Sequence, residues 1–102
     1  MNKTQQKYLK NSDKYKQLVW EYNISPQIFF NILNGKETQK WFNRQWATTK
    51  VLENATYYDA INLIDMDYLK KNWNIIKSRI FNKSIKNGYQ FVLQKKALSS
   101  SR

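Results

Sequence analysis

The scarcest residues in this chain constrain its fold most. Among 102 residues there are two glycines, Gly35 and Gly88, and one proline, Pro26. Sandwiches and barrels need Gly, Pro and Asn-Gly signals at every few strands to reverse the chain. So few breakers predict helices joined by short connections. Aromatic residues make up 16% of the chain and hydrophobic ones 41%. That is enough apolar bulk to build a packed core, and too much for a disordered basic tail. The length allows one domain.

The apolar spacing supports five helices. Ser25-Pro26 reads as an N-cap and first helical position, because proline lacks an N–H that the first turn leaves unpaired in any case. A helix follows from Pro26 to Asn34 with Phe29, Phe30 and Leu33 inward, and Asn34-Gly35 stops it. A second is expected over Thr38 to Glu53, carrying Phe42, Trp46, Thr49 and Leu52. Thr56 caps a short third helix, Tyr57 to Ile64, and Asp65 caps a fourth from Met66 to Phe81. Leu69, Trp73, Ile76 and Ile80 step by 4, 3 and 4 along it, the cleanest amphipathic pattern in the chain. Ser84 is expected to cap a fifth, Ile85 to Leu98, with Ile85, Tyr89, Val92 and Leu93 inward. Gly88 weakens that helix by about 1 kcal/mol relative to Ala, and close helix packing would explain it. Residues 1–16 carry Lys3, Lys7, Lys10, Lys14 and Lys16 with few apolar partners, and read as a flexible basic arm. Leu18 to Asn23 reads as a short stretch that could be extended. The expected organisation is thus all-α: arm 1–16, helical domain 17–98, disordered tail 99–102.

Certain chemistries are excluded by composition. With neither Cys nor His there is no disulfide, no Cys/His zinc site and no histidine-based acid/base or nucleophile pair. Two isolated glycines cannot form a phosphate-cradling Gly-rich loop. The acids stand mostly where caps and surface pairs account for them. Asp65-x-Asp67 resembles a Mg²⁺-binding carboxylate pair, but lacks the Gly-Ser strand that nucleotidyltransferases place before it. A helix N-terminus explains both aspartates better. A binding protein without cofactor or metal is therefore expected, not an enzyme. No apolar run is long enough for a membrane span, and the basic N-terminus lacks a signal peptide's apolar stretch, so a cytoplasmic protein is expected.

Charge points to partners. Eighteen Lys+Arg against seven Asp+Glu give a net charge of +11, beyond the magnitude of about 2–8 that solubility calls for. Clustered cations bind phosphate by releasing condensed counterions. Lys36, Lys40, Arg44 and Lys50 fall on the second helix and its approach. On the fourth, Lys70, Asn74 and Lys77 share a face opposite the apolar stripe, with Lys71 beside them. An asparagine there suits an adenine edge while lysines hold phosphate. Lys83, Lys86 and Asn87 offer the same combination at the start of the fifth. The bland alternative is a solvated face in a Lys-rich proteome. The second and third helices have helix-turn-helix proportions. The third is a poor recognition helix, because Asp59 would repel phosphate and Asn62 is its one good base reader. An ordinary corner explains it better.

Rings raise a second possibility. Phe42, Trp46, Trp73 and Tyr89 lie on apolar stripes and belong to the core. Trp20, Tyr22, Trp41, Tyr57, Tyr58 and Tyr68 are less clearly inward, and exposed they would stack single-stranded bases or form a protein interface, for which Trp20, Tyr22, Trp41, Tyr57 and Tyr58 are the candidates. Trp41 is the residue whose exposure discriminates most. Homodimerisation is left open, since no heptad seam is visible.

Four segments carry a resemblance to a known family: Trp20 to Phe29 (W-E-Y-N-I-S-P-x-x-F), Lys50 to Asn54 (K-V-L-E-N), Tyr57 to Ile64 (Y-Y-D-A-I-N-L-I) and Arg79 to Leu93 (R-I-F-N-K-S-I-K-N-G-Y-Q-F-V-L). In these the chain resembles a small helical bacterial family of unknown function, of the kind encoded beside abortive-infection nucleotidyltransferase toxins. The resemblance covers about three-quarters of the chain and implies no catalytic residue. It implies an antitoxin-like or accessory role. The expectations are therefore a nucleic-acid-binding regulator, or a module that binds an acidic enzyme partner such as a nucleotidyltransferase toxin.

Overall fold

A computed structural model describes the backbone of residues 2–100 and the side chains of residues 2–94. Helices dominate: α1 (Lys3–Lys10), α2 (Ser12–Val19), α3 (Pro26–Leu33), α4 (Arg44–Asn54), α5 (Tyr57–Leu63), α6 (Met66–Lys71), α7 (Trp73–Lys77) and α8 (Lys83–Ser100). The only extended pairing among the described residues is one bridge, Gln39 to Phe42. The all-α expectation holds, with eight helices among the described residues in place of five. A radius of gyration of 13.4 Å is that of one compact unit of this length, about 13 Å.

The axis of the fold is α4. Trp46, Ala47, Thr48, Thr49, Val51 and Leu52 are all buried, so the helix is covered on nearly every side. It packs against α2, α3, α5 and α7. On α3, Phe29, Phe30, Ile32 and Leu33 are buried and form the centre of the core. Phe30 meets the Tyr8 ring edge-on at 6.4 Å, and Phe29 meets Tyr15 at 5.9 Å.

Those two tyrosines overturn the flexible arm. Residues 3–19 form α1 and α2, capped by Asn2 and Asn11 through the Gln5 and Lys14 amides. The buried residues of α1 are Gln5 and Tyr8, an amide and a ring rather than aliphatics, and α2 adds Tyr15 ahead of Leu18 and Val19, so apolar periodicity does not reveal the first of these turns. Gln5 is 1% exposed and donates to the Asn34 Oδ1 and the Leu63 carbonyl, each at 2.9 Å. The Tyr8 hydroxyl donates to Asp59 at 2.6 Å, and that of Tyr15 to the Ile24 carbonyl at 2.6 Å. Burial holds both phenols protonated, well above the ordinary tyrosine range. Leu18 and Val19, expected as an extended stretch, end α2 inside the core.

Three other boundaries move. The helix expected from Thr38 begins only at Arg44. Residues 39–42 instead close a reverse turn in which the Gln39 and Phe42 amides and carbonyls exchange two bonds, and Asn43 caps α4 through the Trp46 amide. The helix expected over Met66 to Phe81 breaks at Asn72 and ends at Lys77. Asn72 is the hinge: its side chain donates to the Tyr68 carbonyl at 2.9 Å, and its own carbonyl accepts from Ile75 and Ile76. Leu69, Trp73, Ile76 and Ile80 nevertheless stay buried, so the stripe survives the break. Asn82, rather than Ser84, accepts from the Ile85 amide at the start of α8. The caps expected at Ser25, Thr56 and Asp65 are in place. Of the tail expected at 99–102, residues 101 and 102 lie outside the described residues.

Candidate functional site

The acids of this chain are spent largely on internal contacts. Glu21 pairs with Lys50 at 2.6 Å, Asp59 with Lys14 at 3.6 Å, and Asp65 with Arg44 at 3.7 Å. Asp65 also accepts from the Asp67 and Tyr68 amides, as the capping reading requires. The Glu37 carboxylate accepts from the side chains of Asn31 and Gln39.

This accounting reassigns two cations. Arg44 stacks on the Tyr68 ring at 3.9 Å and donates from Nε to the Leu33 carbonyl at 3.0 Å. It ties the end of α3 and the start of α6 to α4, and is a brace rather than a phosphate contact. Lys50 lies over the Tyr22 ring at 5.3 Å besides its ion pair. Burial raises the Tyr68 pKa, and Arg44 and Arg79 pull it partly back.

The remaining lysines point outward. Lys3, Lys7, Lys10 and Lys16 are exposed, as are Lys36, Lys40, Lys70, Lys71 and Lys83; Lys77 and Lys86 are half-buried. None of these has an ion-pair partner among the described residues. Lys70 and Lys71 end α6, whereas Asn74 and Lys77 belong to α7, so the break at Asn72 interrupts the shared face read from their spacing. Lys83, Lys86 and Asn87 do lie on one unbroken helix and keep a common face. The basic N-terminal segment, expected to join nucleic-acid binding as a flexible arm, instead presents Lys3, Lys7 and Lys10 at a spacing of 4 and 3 on α1. Burial of Gln5 and Tyr8 fixes the opposite side of that helix, so these lysines form an outer stripe.

The expected helix-turn-helix corner is α4, Ala55-Thr56 and α5. Asn2 donates to the Asn62 carbonyl, Gln5 to the Leu63 carbonyl and Tyr8 to Asp59, so α1 lies along α5 and covers part of it. That favours the ordinary corner. Gly88, for which close packing was expected, has nothing within 4 Å of where a Cβ would stand.

The five interface candidates are exposed: Trp20 by 73%, Trp41 by 68%, Tyr58 by 72%, and Tyr22 and Tyr57 less so; Tyr68, also read as less clearly inward, is half-buried under Arg44. They do not form one patch. Trp41 meets Phe42 edge-on at 5.5 Å; Phe42, Tyr22 and Trp46 then contact one another at 4.6–5.4 Å. Trp20 and Tyr22 border a cavity of about 330 Å³ between α2 and α3. Tyr57 contacts Tyr89 at 5.8 Å, beside an apolar cleft of about 350 Å³ under α8. Phe81, which sequence reading left at a helix end, is 94% exposed because the helix stops short of it. With Tyr22, Trp46, Lys50, Glu53 and Arg79 it borders a third cavity of about 310 Å³.

No family model, curated protein or solved structure matches the chain. No helix among the described residues is long and apolar enough to cross a membrane. No group of three or more metal-ligating side chains occurs among them.

Proposed function

We propose that this chain is a non-enzymatic binding module for nucleic acid, acting as a regulator or antitoxin-like protein. The observation that carries the reading is the division of charge. Glu21, Asp59 and Asp65 each pair with a cation of the chain itself, while Lys3, Lys7, Lys10, Lys70, Lys71 and Lys83 are exposed with no ion-pair partner among the described residues. Self-repulsion on such a surface is relieved when a polyanion displaces the counterions. The expected contacts are Lys70, Lys71, Asn74 and Lys77 around the α6–α7 break, and Lys83, Lys86 and Asn87 on α8. Binding should weaken steeply with salt. Reversing Lys70 and Lys77 to Glu together should make the duplex salt slope shallower by about 1.8, at ~0.9 per phosphate contact. Unchanged affinity and slope would remove this face from the reading.

Trp20, Trp41 and Phe81 support a second reading, an aromatic-centred surface for an acidic protein partner. Large exposed rings anchor protein interfaces. The resemblance to the toxin-neighbouring family suggests a nucleotidyltransferase as that partner. Such an interface should survive salt that abolishes nucleic-acid binding. Affinity capture from lysate, with and without nuclease, separates the two.

A further inference from the structure

We infer that the turn carrying Trp41 is a stacking site for single-stranded nucleic acid. The inference rests on the nucleic-acid reading above and narrows it to one strand form and one loop. Residues 39–42 form a two-residue reverse turn closed by bonds of 2.8 and 3.2 Å between Gln39 and Phe42. Its first central residue, Lys40, has a φ of 55°, the sole positive φ outside glycine among the described residues. Glycine or asparagine usually occupies such a position, because a Cβ is crowded there. A lysine therefore stands where the backbone favours a residue without a Cβ, next to a tryptophan that is 68% exposed. Strain held at a surface turn calls for a use of the side chains it presents.

The turn is well supported from below. Trp41 leans edge-on against Phe42, and Phe42 rests on Trp46 at 4.6 Å. The indole has one ring contact beneath it and its bulk in water, which leaves a face open to a base. Lys36 and Lys40 are exposed and unpaired in the same loop. The loop's one acid, Glu37, is held by Asn31 at 3.2 Å and Gln39 at 2.7 Å. An exposed indole in a loop with two exposed cations that lack ion-pair partners among the described residues offers one π-face for a base and two contacts for the flanking phosphates. Duplex bases are already stacked and paired, so the site selects an unpaired strand.

The experiment measures binding of a labelled oligothymidylate and of a matched duplex to the whole chain across a salt series. Three variants are compared: Trp41→Ala, Trp41→Phe and Lys40→Gly. Trp41→Ala should weaken single-strand binding about tenfold and leave duplex binding within about twofold, and Trp41→Phe should recover most of the loss. Lys40→Gly suits the positive φ and so should not loosen the fold, yet should make the single-strand salt slope shallower by about 0.7. Thermal unfolding of each variant confirms that the fold is kept. Single-strand binding that is unchanged in Trp41→Ala and Lys40→Gly overturns this site while leaving the nucleic-acid reading standing. Absence of binding to either oligonucleotide at low salt overturns both. An oligoglutamate peptide bound with the same dependence on Trp41 overturns the site in favour of an acidic protein partner.

Discussion

Gln5 offers the most direct test of whether the basic N-terminal segment is part of the fold. It is a polar side chain at 1% exposure, in a segment whose composition reads as an arm. Its amide donates to Asn34 Oδ1 and to the Leu63 carbonyl at 2.9 Å, and its Oε1 accepts from the Asn34 Nδ2 at 3.0 Å. Gln5→Ala removes all three bonds at once. The Leu63 carbonyl and the Asn34 amide are then left without a protein partner. Each unsatisfied buried group costs about 1–3 kcal/mol. Asn34 is half-buried and can turn to water, so its share falls at the low end. The expected loss is about 2–4 kcal/mol, a large part of the ~5–15 kcal/mol that holds a small domain together. Urea unfolding followed by circular dichroism measures it. With m about 2 kcal/mol/M, the midpoint should fall by roughly 1–2 M at unchanged m. Gln5→Leu keeps the volume but still orphans both partners, so it should also destabilise. A double-mutant cycle with Asn34→Ala should show a coupling above about 0.5 kcal/mol. A midpoint shift below ~0.3 M in Gln5→Ala would refute the reasoning and return residues 1–16 to an undocked arm.

Alkali should unfold the chain in a sign-definite way. Burial raises the Tyr89 pKa from the ordinary 10.0 to about 12, and lifts Tyr8 and Tyr15 further. The unfolded chain therefore loses these protons first. The tyrosine contribution is complete below pH 10 and declines as pH rises through 12, by up to ~1.4 kcal/mol per pH unit for each ring. Tyrosinate absorbance recorded beside circular dichroism checks that the two transitions coincide. The glycines should respond oppositely to alanine. Gly35 has a φ of +77°, and a Cβ there would meet Arg44 at 3.0–3.3 Å, so Gly35→Ala should lose about 1–2 kcal/mol. Gly88→Ala meets nothing and should gain up to ~1 kcal/mol of helix propensity, read as a higher urea midpoint. Arg44→Ala should destabilise rather than merely weaken ligand binding, since the Leu33 carbonyl and Tyr68 ring lose their partner; thermal unfolding by about 1–2 kcal/mol checks it.

The sites divide along the same physical line. Spacing left the exposure of Trp20 and Trp41 open, because Trp41 borders an apolar stripe and Trp20 lies in a short apolar stretch; the fold places both outside. The roles of Arg44 and Lys50 were not, because a cation's partner is set by which carbonyl, ring or carboxylate comes near it in space. Glu21 lies 29 positions from Lys50, and Leu33 lies 11 from Arg44. The shared face of Lys70, Asn74 and Lys77 assumed a continuous helix, and Asn72 interrupts it with a hydrogen bond that periodicity does not encode. Phe81 reads from its spacing as the end of a buried helix. It is exposed because the backbone leaves the helix after Lys77.

The sequence alone determined the helical class, the inward set from Leu69 to Ile80, the caps at Ser25, Thr56 and Asp65, and the stop at Gly35. These are local properties: a spacing of three and four, a side-chain oxygen within reach of its own first turn, a φ that favours glycine. The net charge and the exclusion of Cys and His chemistry were likewise readable without a fold. The tertiary structure decided that the lysine-rich first turns form two docked helices, and that Arg44 is a brace. It also decided which cations the acids Glu21, Asp59 and Asp65 pair with. Each of these depends on polar groups that pair across tens of residues. Such pairing leaves no periodic trace, because amides, phenols and guanidinium groups are as compatible with water as with the interior until a specific partner is placed opposite them.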